Sequence, residues 1–330
     1  MSNTIVSLFS GAGGLDLGFK QAGFTTVWAN EFDKDVWDTF RLNFPDTTLD
    51  TRSITDIPSD EIPDCAGLIG GPPCQSWSAA GAKRGIEDAR GQLFREYIRV
   101  LRDKQPLFFV AENVKGMLSK KNRPVFDGFI HEFENCGYVV SWKLINAFDY
   151  GVAQDRWRVI IVGVRADAGV EFVFPKPVDE RARVVLADAL EGLPEAVAAL
   201  EKNKHNDGVL MNAHEYFTGG FSSMFMSRNR VRSWDEPSFT IQAGGRHAPL
   251  HPQAPKMMKV DKDRFEFVAG SEGEYRRLSV RECARIQSFP DDFNFVYQDV
   301  GNGYKMSGNA VPVELSRRIA ISIVQQLRLR

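Results

Sequence analysis

The chain is short of the features that mark secreted, disulfide-bonded and membrane-spanning proteins. It has four cysteines in 330 residues, and they lie far apart without a C-x-x-C pair (Cys65, Cys74, Cys136 and Cys283). This spacing argues against a zinc site or a disulfide framework and favours a reducing compartment. The first residues lack the basic flank and apolar run of a signal peptide, and no apolar stretch approaches the length of a membrane span. We therefore predict a soluble cytoplasmic protein with no metal and no membrane partner.

A large excess of charge is also missing. The formal net charge is −2 at pH 7, so the chain as a whole is not suited to bind polyanions by bulk electrostatics. The balance is uneven, because residues 223–285 contain twelve Lys or Arg against eight Asp or Glu. By itself this imbalance is weak support for an anionic partner, since many solvated surfaces share it.

The remaining composition is typical of a globular protein, with 43% hydrophobic and 25% charged residues. At this length the chain holds one large domain, or one large and one small domain. Strand followed by helix recurs up to about Arg165, which predicts a doubly wound, mainly parallel sheet with helices on both faces. We predict a first domain at 1–174, an inserted irregular domain at 175–276, and a return to the first domain at 277–330.

A glycine-rich loop follows the first predicted strand. Its small residues let the backbone turn tightly and approach a ligand, and the next helix offers free N–H groups. The loop departs from the dinucleotide fingerprint G-x-G-x-x-G, because Asp16 stands where the third glycine belongs. The second strand ends at Glu31, 20 positions after Gly11, where a carboxylate can hold ribose hydroxyls. Phe32 beside it is suited to stack on an adenine; the alternative for Glu31 is a solvated carboxylate.

A second sharp turn has Cys74 at its centre. Pro72 and Pro73 end the short apolar strand before it, because neither can donate a backbone hydrogen bond. The turn would hold the thiol at the carboxyl end of a strand, the edge at which open α/β sheets bind ligands. A lone cysteine is more often a small buried residue. With acidic strand ends and paired arginines elsewhere in the chain, we interpret Cys74 as a nucleophile.

Polar side chains follow two later strands. Glu112 ends an apolar strand and is predicted to share the sheet edge with Cys74. Gln154, Arg156 and Arg158 alternate, so in a strand they would project from one face. Such a face suits an anionic or carbonyl-bearing substrate, and the alternative is a salt-bridged sheet edge.

The irregular domain carries a second alternating set of arginines. Arg228, Arg230 and Arg232 would share one strand face, and Arg246 follows in a glycine-rich stretch. Arginine reads guanine with two hydrogen bonds and also grips phosphates, so these residues are candidates for contacts with nucleic acid.

Together these stretches resemble the DNA (cytosine-5)-methyltransferases, in that family's order and over almost the whole chain. The matching stretches are Phe9–Gly14, Pro72–Gln75, Glu112–Val114, Gln154-x-Arg156-x-Arg158, Arg281-Glu282 and Gly308–Pro312. The variable segment is similar to that of the GGCC-modifying bacterial enzymes at Phe225–Arg232 and Leu250–Pro255.

The resemblance implies a Rossmann-like methyltransferase fold with an inserted target-recognition domain. It also implies S-adenosyl-L-methionine as the cofactor and S-adenosyl-L-homocysteine as the product. The residues expected to bind the cofactor are Phe9, Gly11, Gly13, Gly14, Leu15, Glu31, Phe32, Ser53, Ile54, Pro72, Leu93, Asn309 and Val311. Where this chain has Ser53, the family usually has an Asp that contacts the adenine amino group, and Asp50 and Asp56 are the candidates to replace it.

The resemblance assigns catalytic roles to Cys74, Glu112, Arg156 and Arg158. Cys74 would add to carbon 6 of a flipped cytosine, Glu112 would bind the ring nitrogen N3 and the exocyclic amine, and the two arginines would hold the base carbonyl or a phosphate. A lid from Ser76 to Gly91 is expected to close over the base. The residues expected to contact DNA are Ser76, Arg84, Gln154, Arg228, Arg230, Arg232 and Arg246, with Arg230 and Arg246 ranked first for guanine.

The implied activity is methylation of the inner cytosine of GGCC in double-stranded DNA. We further expect a bacterial protein that acts as a monomer and is paired in function, but not in a complex, with a restriction endonuclease. One alternative is an RNA cytosine-5 methyltransferase, which the long inserted domain disfavours. A second is a nucleic-acid-binding protein without activity, and a third is a dinucleotide oxidoreductase, which Asp16 disfavours.

Overall fold

The computed structural model describes residues 3–73 and 89–329. Cys74, Ser76, Arg84 and most of the predicted lid lie outside these residues. The strands are β1 (Thr4–Leu8), β2 (Thr25–Asn30), β3 (Thr48–Asp50), β4 (Gly67–Gly70), β5 (Phe108–Val114), β6 (Tyr138–Asn146), β7 (Trp157–Arg165), β8 (Val197–Ala198), β9 (Glu215–Tyr216), β10 (Met258–Asp261) and β11 (Arg264–Glu266). The helices are α1 (Gly14–Gln21), α2 (Trp37–Asn43), α3 (Ala89–Lys104), α4 (Arg123–Asn135), α5 (Leu186–Leu190), α6 (Val280–Ile286), α7 (Val300–Asn309) and α8 (Val313–Leu327).

The main sheet has the strand order β3-β2-β1-β4-β5-β7-β6 among the described residues. The first five of these strands are parallel, and β7 runs antiparallel to both β5 and β6. The expected mainly parallel sheet is therefore confirmed. Because β1 to β5 run in one direction, their carboxyl ends lie along the same sheet edge.

Aromatic packing fixes the helices that follow the fourth and fifth strands. Phe94 of α3 stacks on Phe129 of α4 with ring centroids 3.9 Å apart. Tyr97 of α3 is fully buried, and its hydroxyl donates to the carbonyl oxygens of Leu68 and Val110 in β4 and β5. A buried hydroxyl needs such partners, so Tyr97 sets the position of α3 against the two strands.

The end of the chain packs against its beginning. The hydroxyl of Ser316 in α8 donates to the carbonyl oxygen of Leu15 in α1 at 2.7 Å. A Cβ atom at Gly18 would lie 2.4 Å from the Cβ of Ser316, so this approach of the two helices requires glycine.

The chain divides into two compact units. The first comprises Met1–Asn146, Trp157–Pro177 and Leu315–Arg330, and the second comprises Ala147–Arg156 and Val178–Glu314. This division differs from the predicted domains, because residues 147–156 and 277–314 belong to the second unit. The predicted boundaries rest on composition, which does not reveal that Gln154 bonds to Gln287 or that Arg281 bonds to Asn212.

The second unit is built around short backbone pairings rather than a large sheet. Leu250 pairs in parallel with Val231 and antiparallel with Arg277. The side chains of Val231 and Leu250 belong to a buried apolar cluster, which consists of Phe225, Val231, Leu250, Ala254, Met257 and Tyr275. None of the helices that the structure describes is both long and apolar enough to cross a membrane.

Candidate active site

The glycine-rich loop joins β1 to α1 in a backbone conformation that favours glycine. Gly11 and Gly13 have φ angles of 55° and 88°. A Cβ at Gly13 would lie 2.3 Å from Cε2 of Phe44, whereas one at Gly11 would meet no described atom within 4 Å. Gly13 therefore packs inward, and the backbone at Gly11 is open for the close approach of a ligand.

Glu31 immediately follows β2, and its side chain lies beside this loop. Its carboxylate accepts hydrogen bonds from the backbone N–H groups of Gly11 at 2.8 Å and Asp33 at 2.7 Å. Burial raises the pKa of Glu31, while the two N–H donors favour its charged form. The neighbouring Phe32 is 71% exposed, which is unusual for a large apolar ring. The Glu31 carboxylate is thus fixed by hydrogen bonds beside the unobstructed backbone of Gly11, and the exposed ring of Phe32 follows it directly.

The segment after β3 carries the departure from the family pattern. The hydroxyl of Ser53 hydrogen-bonds to that of Thr55 at 2.7 Å. Arg52 pairs with Asp50 at 2.6 Å, and its hydrogen bond lowers the pKa of Asp50. Asp56 is exposed and accepts a hydrogen bond from Thr55. Asp56, rather than Asp50, therefore offers an exposed carboxylate next to Ser53.

The other predicted cofactor residues lie in both units. Those of the first unit follow β1, β3 or β4, or lie in α1 or α3, and they are Phe9, Gly14, Leu15, Ile54, Pro72 and Leu93. In the second unit, Asn309 is the exposed last residue of α7, and Val311 is buried two positions later.

Glu112 and Arg158 form an ion pair on neighbouring strands. In the antiparallel register Glu112 lies opposite Ile160, and Arg158 lies opposite Val114, so the two charged side chains are diagonal neighbours. Nε of Arg158 lies 2.7 Å from Oε1 of Glu112, and each side chain is only 12% exposed. The pair is thus largely screened from water, and its charges interact more strongly than on an open surface.

The backbone that leads to Cys74 lies against this pair. A Cβ at Gly71 would lie 3.3 Å from Oε2 of Glu112. The side-chain amide of Asn113, which is 3% exposed, donates to the carbonyl oxygen of Pro72 at 3.2 Å. β5 therefore holds the residues directly before Cys74, which itself lies outside the described residues.

Gln154 and Arg156 have a different setting from Arg158. β7 begins only at Trp157, so the prediction that all three project from one strand is wrong. Gln154 is fully buried in the second unit, which disfavours its predicted contact with DNA. Arg156 is 1% exposed and donates to backbone carbonyl oxygens in that unit.

Arg228, Arg230 and Arg232 of the second unit do not line a strand. Residues 225–227 form a 3₁₀ turn, and nearby only Val231 makes an isolated bridge. Arg230 is 7% exposed, donates to the carbonyl oxygen of Phe225 and lies 4.7 Å from the centre of its ring. Its burial lowers the pKa of Arg230 to about 10. Arg230 thus points inward, contrary to the expectation of a side chain that faces a ligand.

The other three arginines differ among themselves. Arg232 pairs with Asp155 at 2.9 Å and with Glu236 at 3.1 Å. Arg228 and Arg246 are exposed. Arg228 and Arg246 are therefore the members of the set that are accessible to a ligand in this conformation.

Arg277 is a further arginine that holds backbone in the second unit, and the sequence pattern does not predict it. It is 3% exposed, and its guanidinium donates to the carbonyl oxygens of Gly219 and Gly220, both at 3.0 Å. The guanidinium also lies 4.1 Å from the centre of the Phe221 ring. Arg277 thus holds the loop before Arg228, and its only signal in the sequence is that it follows another arginine.

Comparison with known proteins identifies the family. A family model for C-5 cytosine-specific DNA methylases matches residues 3–325. The chain belongs to this family. It is 56% identical to the Type II methyltransferase M.FnuDI of Fusobacterium nucleatum, across 98% of this chain and 94% of that protein. It is 54% identical to the Type II methyltransferase M.MthTI of Methanothermobacter thermautotrophicus, across 99% of this chain and 98% of that protein.

Solved structures agree on the fold. A DNA modification methyltransferase encoded within an Escherichia coli prophage aligns with a TM-score of 0.73 at 23% identity, over 98% of this chain and 99% of that one. The Entamoeba histolytica methyltransferase EhMeth aligns with a TM-score of 0.71 at 14% identity, over 99% of each chain. The expected Rossmann-like methyltransferase fold is confirmed. The protein is a DNA (cytosine-5)-methyltransferase of the Type II restriction–modification kind.

Proposed function

We propose that the enzyme transfers a methyl group from S-adenosyl-L-methionine to carbon 5 of a flipped cytosine, with Cys74 as the nucleophile. The observation that carries this proposal is the Glu112–Arg158 pair, which lies against the backbone just before Cys74. We further propose the inner cytosine of GGCC in duplex DNA as the target. That choice rests on the similarity of Phe225–Arg232 and Leu250–Pro255 to GGCC-modifying enzymes.

The chemistry requires covalent help from the protein, because carbon 5 of cytosine is a poor nucleophile. Addition of the Cys74 thiolate forms a bond from Sγ to carbon 6 and leaves an enamine, whose carbon 5 can accept the methyl group. Carbon 5 then loses its proton to a base. The electron pair restores the double bond between carbons 5 and 6 as the bond to Sγ breaks and the thiolate returns.

Glu112 is proposed to bind N3 and the exocyclic amine of the flipped base. Negative charge develops on N3 as the thiolate adds, so a proton that the Glu112 carboxyl group shares with N3 offsets this charge and lowers the barrier, and the proton returns to Glu112 when the thiolate leaves. Arg158 orients the Glu112 carboxylate through the 2.7 Å contact and is proposed to hold the base carbonyl as well. The low exposure of both side chains strengthens these interactions relative to water.

The first unit offers a cradle that fits S-adenosyl-L-methionine. The backbone at Gly11 is open to a ligand, Glu31 is a fixed carboxylate suited to ribose hydroxyls, and Phe32 exposes a ring suited to adenine. When bound, the cofactor supplies the electrophilic methyl group. Asn309 and Val311 are proposed as further cofactor contacts on the strength of the resemblance alone.

The target base must leave the duplex before it can react, at a cost of a few kcal/mol. Arg228 and Arg246 are proposed to contact GGCC, because both are exposed in the second unit. We also propose that the enzyme acts as a monomer. Its methylation would protect DNA from a restriction endonuclease that recognises the same sequence.

Methyl transfer from labelled S-adenosyl-L-methionine tests the proposal. The substrates are a duplex with GGCC, a duplex with the same bases scrambled, and a GGCC duplex with 5-fluorocytosine at the inner position. We expect label only on GGCC and a covalent adduct on the fluorinated duplex that Cys74→Ser abolishes. Cys65→Ser is the matched control and should leave the adduct intact, because Cys65 does not belong to the site. Label on the scrambled duplex would overturn the GGCC assignment, and an adduct with Cys74→Ser would overturn the nucleophile.

A further inference from the structure

The segment 154–156 lies inside a buried polar cluster of the second unit. Gln154 and Gln287 are fully buried, and Arg156 is 1% exposed. Buried polar groups of this size remain only where hydrogen bonds replace those lost to water. The partners of these side chains therefore show what the cluster holds in place.

Arg156 holds two separate stretches of backbone. One terminal nitrogen, Nη1, donates to the carbonyl oxygen of Ile241 at 3.0 Å. The other, Nη2, donates to the carbonyl oxygens of Gly308 at 2.7 Å and Ala310 at 3.0 Å. Gly308 lies in the last turn of α7, whose final carbonyl groups have no partner within the helix. A guanidinium there gains both hydrogen bonds and a favourable interaction with the helix dipole.

The two glutamines tie the same two stretches together. Nε2 of Gln154 donates to Oε1 of Gln287 at 2.9 Å, and Oε1 of Gln154 accepts from the N–H of Ile241 at 2.8 Å. Nε2 of Gln287 donates to the carbonyl oxygen of Ser307 at 2.7 Å. The cluster thus fixes two stretches of backbone that are far apart in the sequence, one at residue 241 and the other at residues 307–310.

The two stretches are in direct contact as well. A Cβ at Gly308 would lie 2.3 Å from the carbonyl oxygen of Gln242, so the backbones meet at a distance that only glycine allows. The carbonyl groups that Arg156 holds belong to Gly308 and Ala310, the neighbours of Asn309 on either side. The guanidinium therefore sets the conformation of the backbone that presents Asn309 and then Val311.

We propose that Arg156 is a positioning residue for the cofactor-binding segment Asn309–Val311, and not a group that contacts the cytosine. This inference rests on the proposed function, in which Asn309 and Val311 contact S-adenosyl-L-methionine. Arg156 and Arg158 then divide two tasks within one short motif. Arg158 orients a carboxylate for the base, and Arg156 orders backbone for the cofactor.

The test compares Arg156→Lys with Arg158→Lys in the full-length enzyme. A lysine keeps the charge but cannot span three carbonyl oxygens as a planar guanidinium does. For Arg156→Lys we expect the Kd of S-adenosyl-L-methionine, measured by calorimetry without DNA, to rise about tenfold, with a matching rise in its KM. At saturating cofactor its kcat should stay within about threefold of wild type. Arg158→Lys should instead lower kcat and leave the Kd of S-adenosyl-L-methionine unchanged. Arg264→Lys, at an exposed side chain of β11, should change neither quantity.

An unchanged Kd for the cofactor in Arg156→Lys, whether or not kcat falls, would overturn the inference. If thermal unfolding shows that this variant does not fold, Gln154→Met decides the question, because it removes the amide from the same cluster without changing charge. It should raise the Kd by a smaller factor, and an unchanged Kd would again overturn the inference. Wild-type enzyme that transfers no methyl group would instead refute the proposed function, so the two failures are distinguishable.

Discussion

Arg156 and Arg158 lie two positions apart, yet they belong to different units and bind different kinds of partner. Arg158 pairs with a carboxylate on the neighbouring strand, whereas Arg156 donates to the carbonyl groups of Ile241, Gly308 and Ala310. The first unit presents charged and aromatic side chains at strand ends. The second unit turns several of its arginines inward to hold its own irregular backbone. The same residue type thus pairs with a carboxylate in one unit and holds backbone carbonyl groups in the other.

The largest effect is expected from substitution of Glu112, the carboxylate that pairs with Arg158. Glu112→Gln removes the charge that Arg158 orients and replaces the carboxyl group proposed to share a proton with N3 of the base, so we expect kcat to fall by about 10²–10³-fold. Single-turnover methyl transfer to a GGCC duplex measures it. Glu96→Gln removes an ion pair of Arg99 on α3 and serves as the matched control with activity near wild type. A Glu112→Gln variant with more than a tenth of wild-type activity would contradict the role of Glu112.

The glycine-rich loop gives the next largest effect. Gly13→Ala would force a Cβ to within 2.3 Å of Phe44 at a φ of 88°, so we expect the free energy of unfolding to fall by about 2–4 kcal/mol. Gly23→Ala, at a φ of 93° with no described atom within 4 Å, should lose only about 1 kcal/mol. Urea unfolding of both variants separates close packing from backbone strain. Equal losses would show that packing against Phe44 does not matter.

Arg246 tests the exposed arginines of the second unit. Arg246→Ala should lower the preference for GGCC over a duplex with one G·C pair replaced, by about 1–3 kcal/mol, because it would remove a guanine contact. The readout is the ratio of kcat/KM values on the two duplexes. Arg264→Ala is the control, since Arg264 is 67% exposed on β11 and pairs with Glu266. An equal fall in kcat/KM on all duplexes would show that Arg246 contacts a phosphate rather than a guanine.

The smallest effect concerns a buried charge of the first unit. Asp16 lies in the first turn of α1 and accepts hydrogen bonds from Ser7 and Thr26, and burial raises the pKa of Asp16 from 3.8 to about 6. Between these pH values the folded protein binds a proton that the unfolded chain releases. This group therefore makes the protein less stable as pH rises from about 4 to about 6, and the loss persists above that range.

Removal of that charge should reverse the effect. Asp16→Asn keeps the size and one acceptor oxygen, and its NH2 group can donate to the hydroxyl that loses its acceptor. We therefore expect it to raise the free energy of unfolding at pH 7.5 by about 1–2 kcal/mol. The gain should vanish near pH 4, and urea unfolding at both pH values measures it. Asp38→Asn, at an exposed site, should show no such difference. A gain of equal size at both pH values would show that ionisation is not its cause.

The sequence predicts the first unit better than the second, for a physical reason. Apolar runs and turn residues suffice to place β1, β2, β4 and β5, and parallel strands bring their ends to one edge whatever the details. Glu31 and Glu112 could therefore be expected at that edge, where Glu31 lies by the loop after β1 and Glu112 by the loop after β4. The inward orientation of Arg156 could not be predicted, because it depends on the carbonyl group of Gly308, 152 positions away. That of Arg230 depends on the local turn that brings the carbonyl group of Phe225, five positions away, within its reach, and the alternation of arginines does not reveal this turn.

The departures from the predicted domains have the same cause. Residues 147–156 lie between the predicted strand that ends at Asn146 and the one that follows Gln154–Arg158, and nothing local reveals that Gln154 reaches Gln287, 133 positions away. The alternation of Arg228, Arg230 and Arg232 favours a strand, but a pairing partner is needed to form one. Within residues 228–232 only Val231 has a backbone pairing partner, which is Leu250.

The central claim is that Arg156 and Arg158 divide cofactor positioning from base chemistry. The most direct measurement is the rate of covalent adduct formation on a 5-fluorocytosine GGCC duplex at saturating S-adenosyl-L-methionine, for Arg156→Lys and Arg158→Lys side by side. The account predicts an adduct at close to the wild-type rate for Arg156→Lys and a rate lower by about 10²-fold for Arg158→Lys. Equally slow adduct formation by both variants would contradict it.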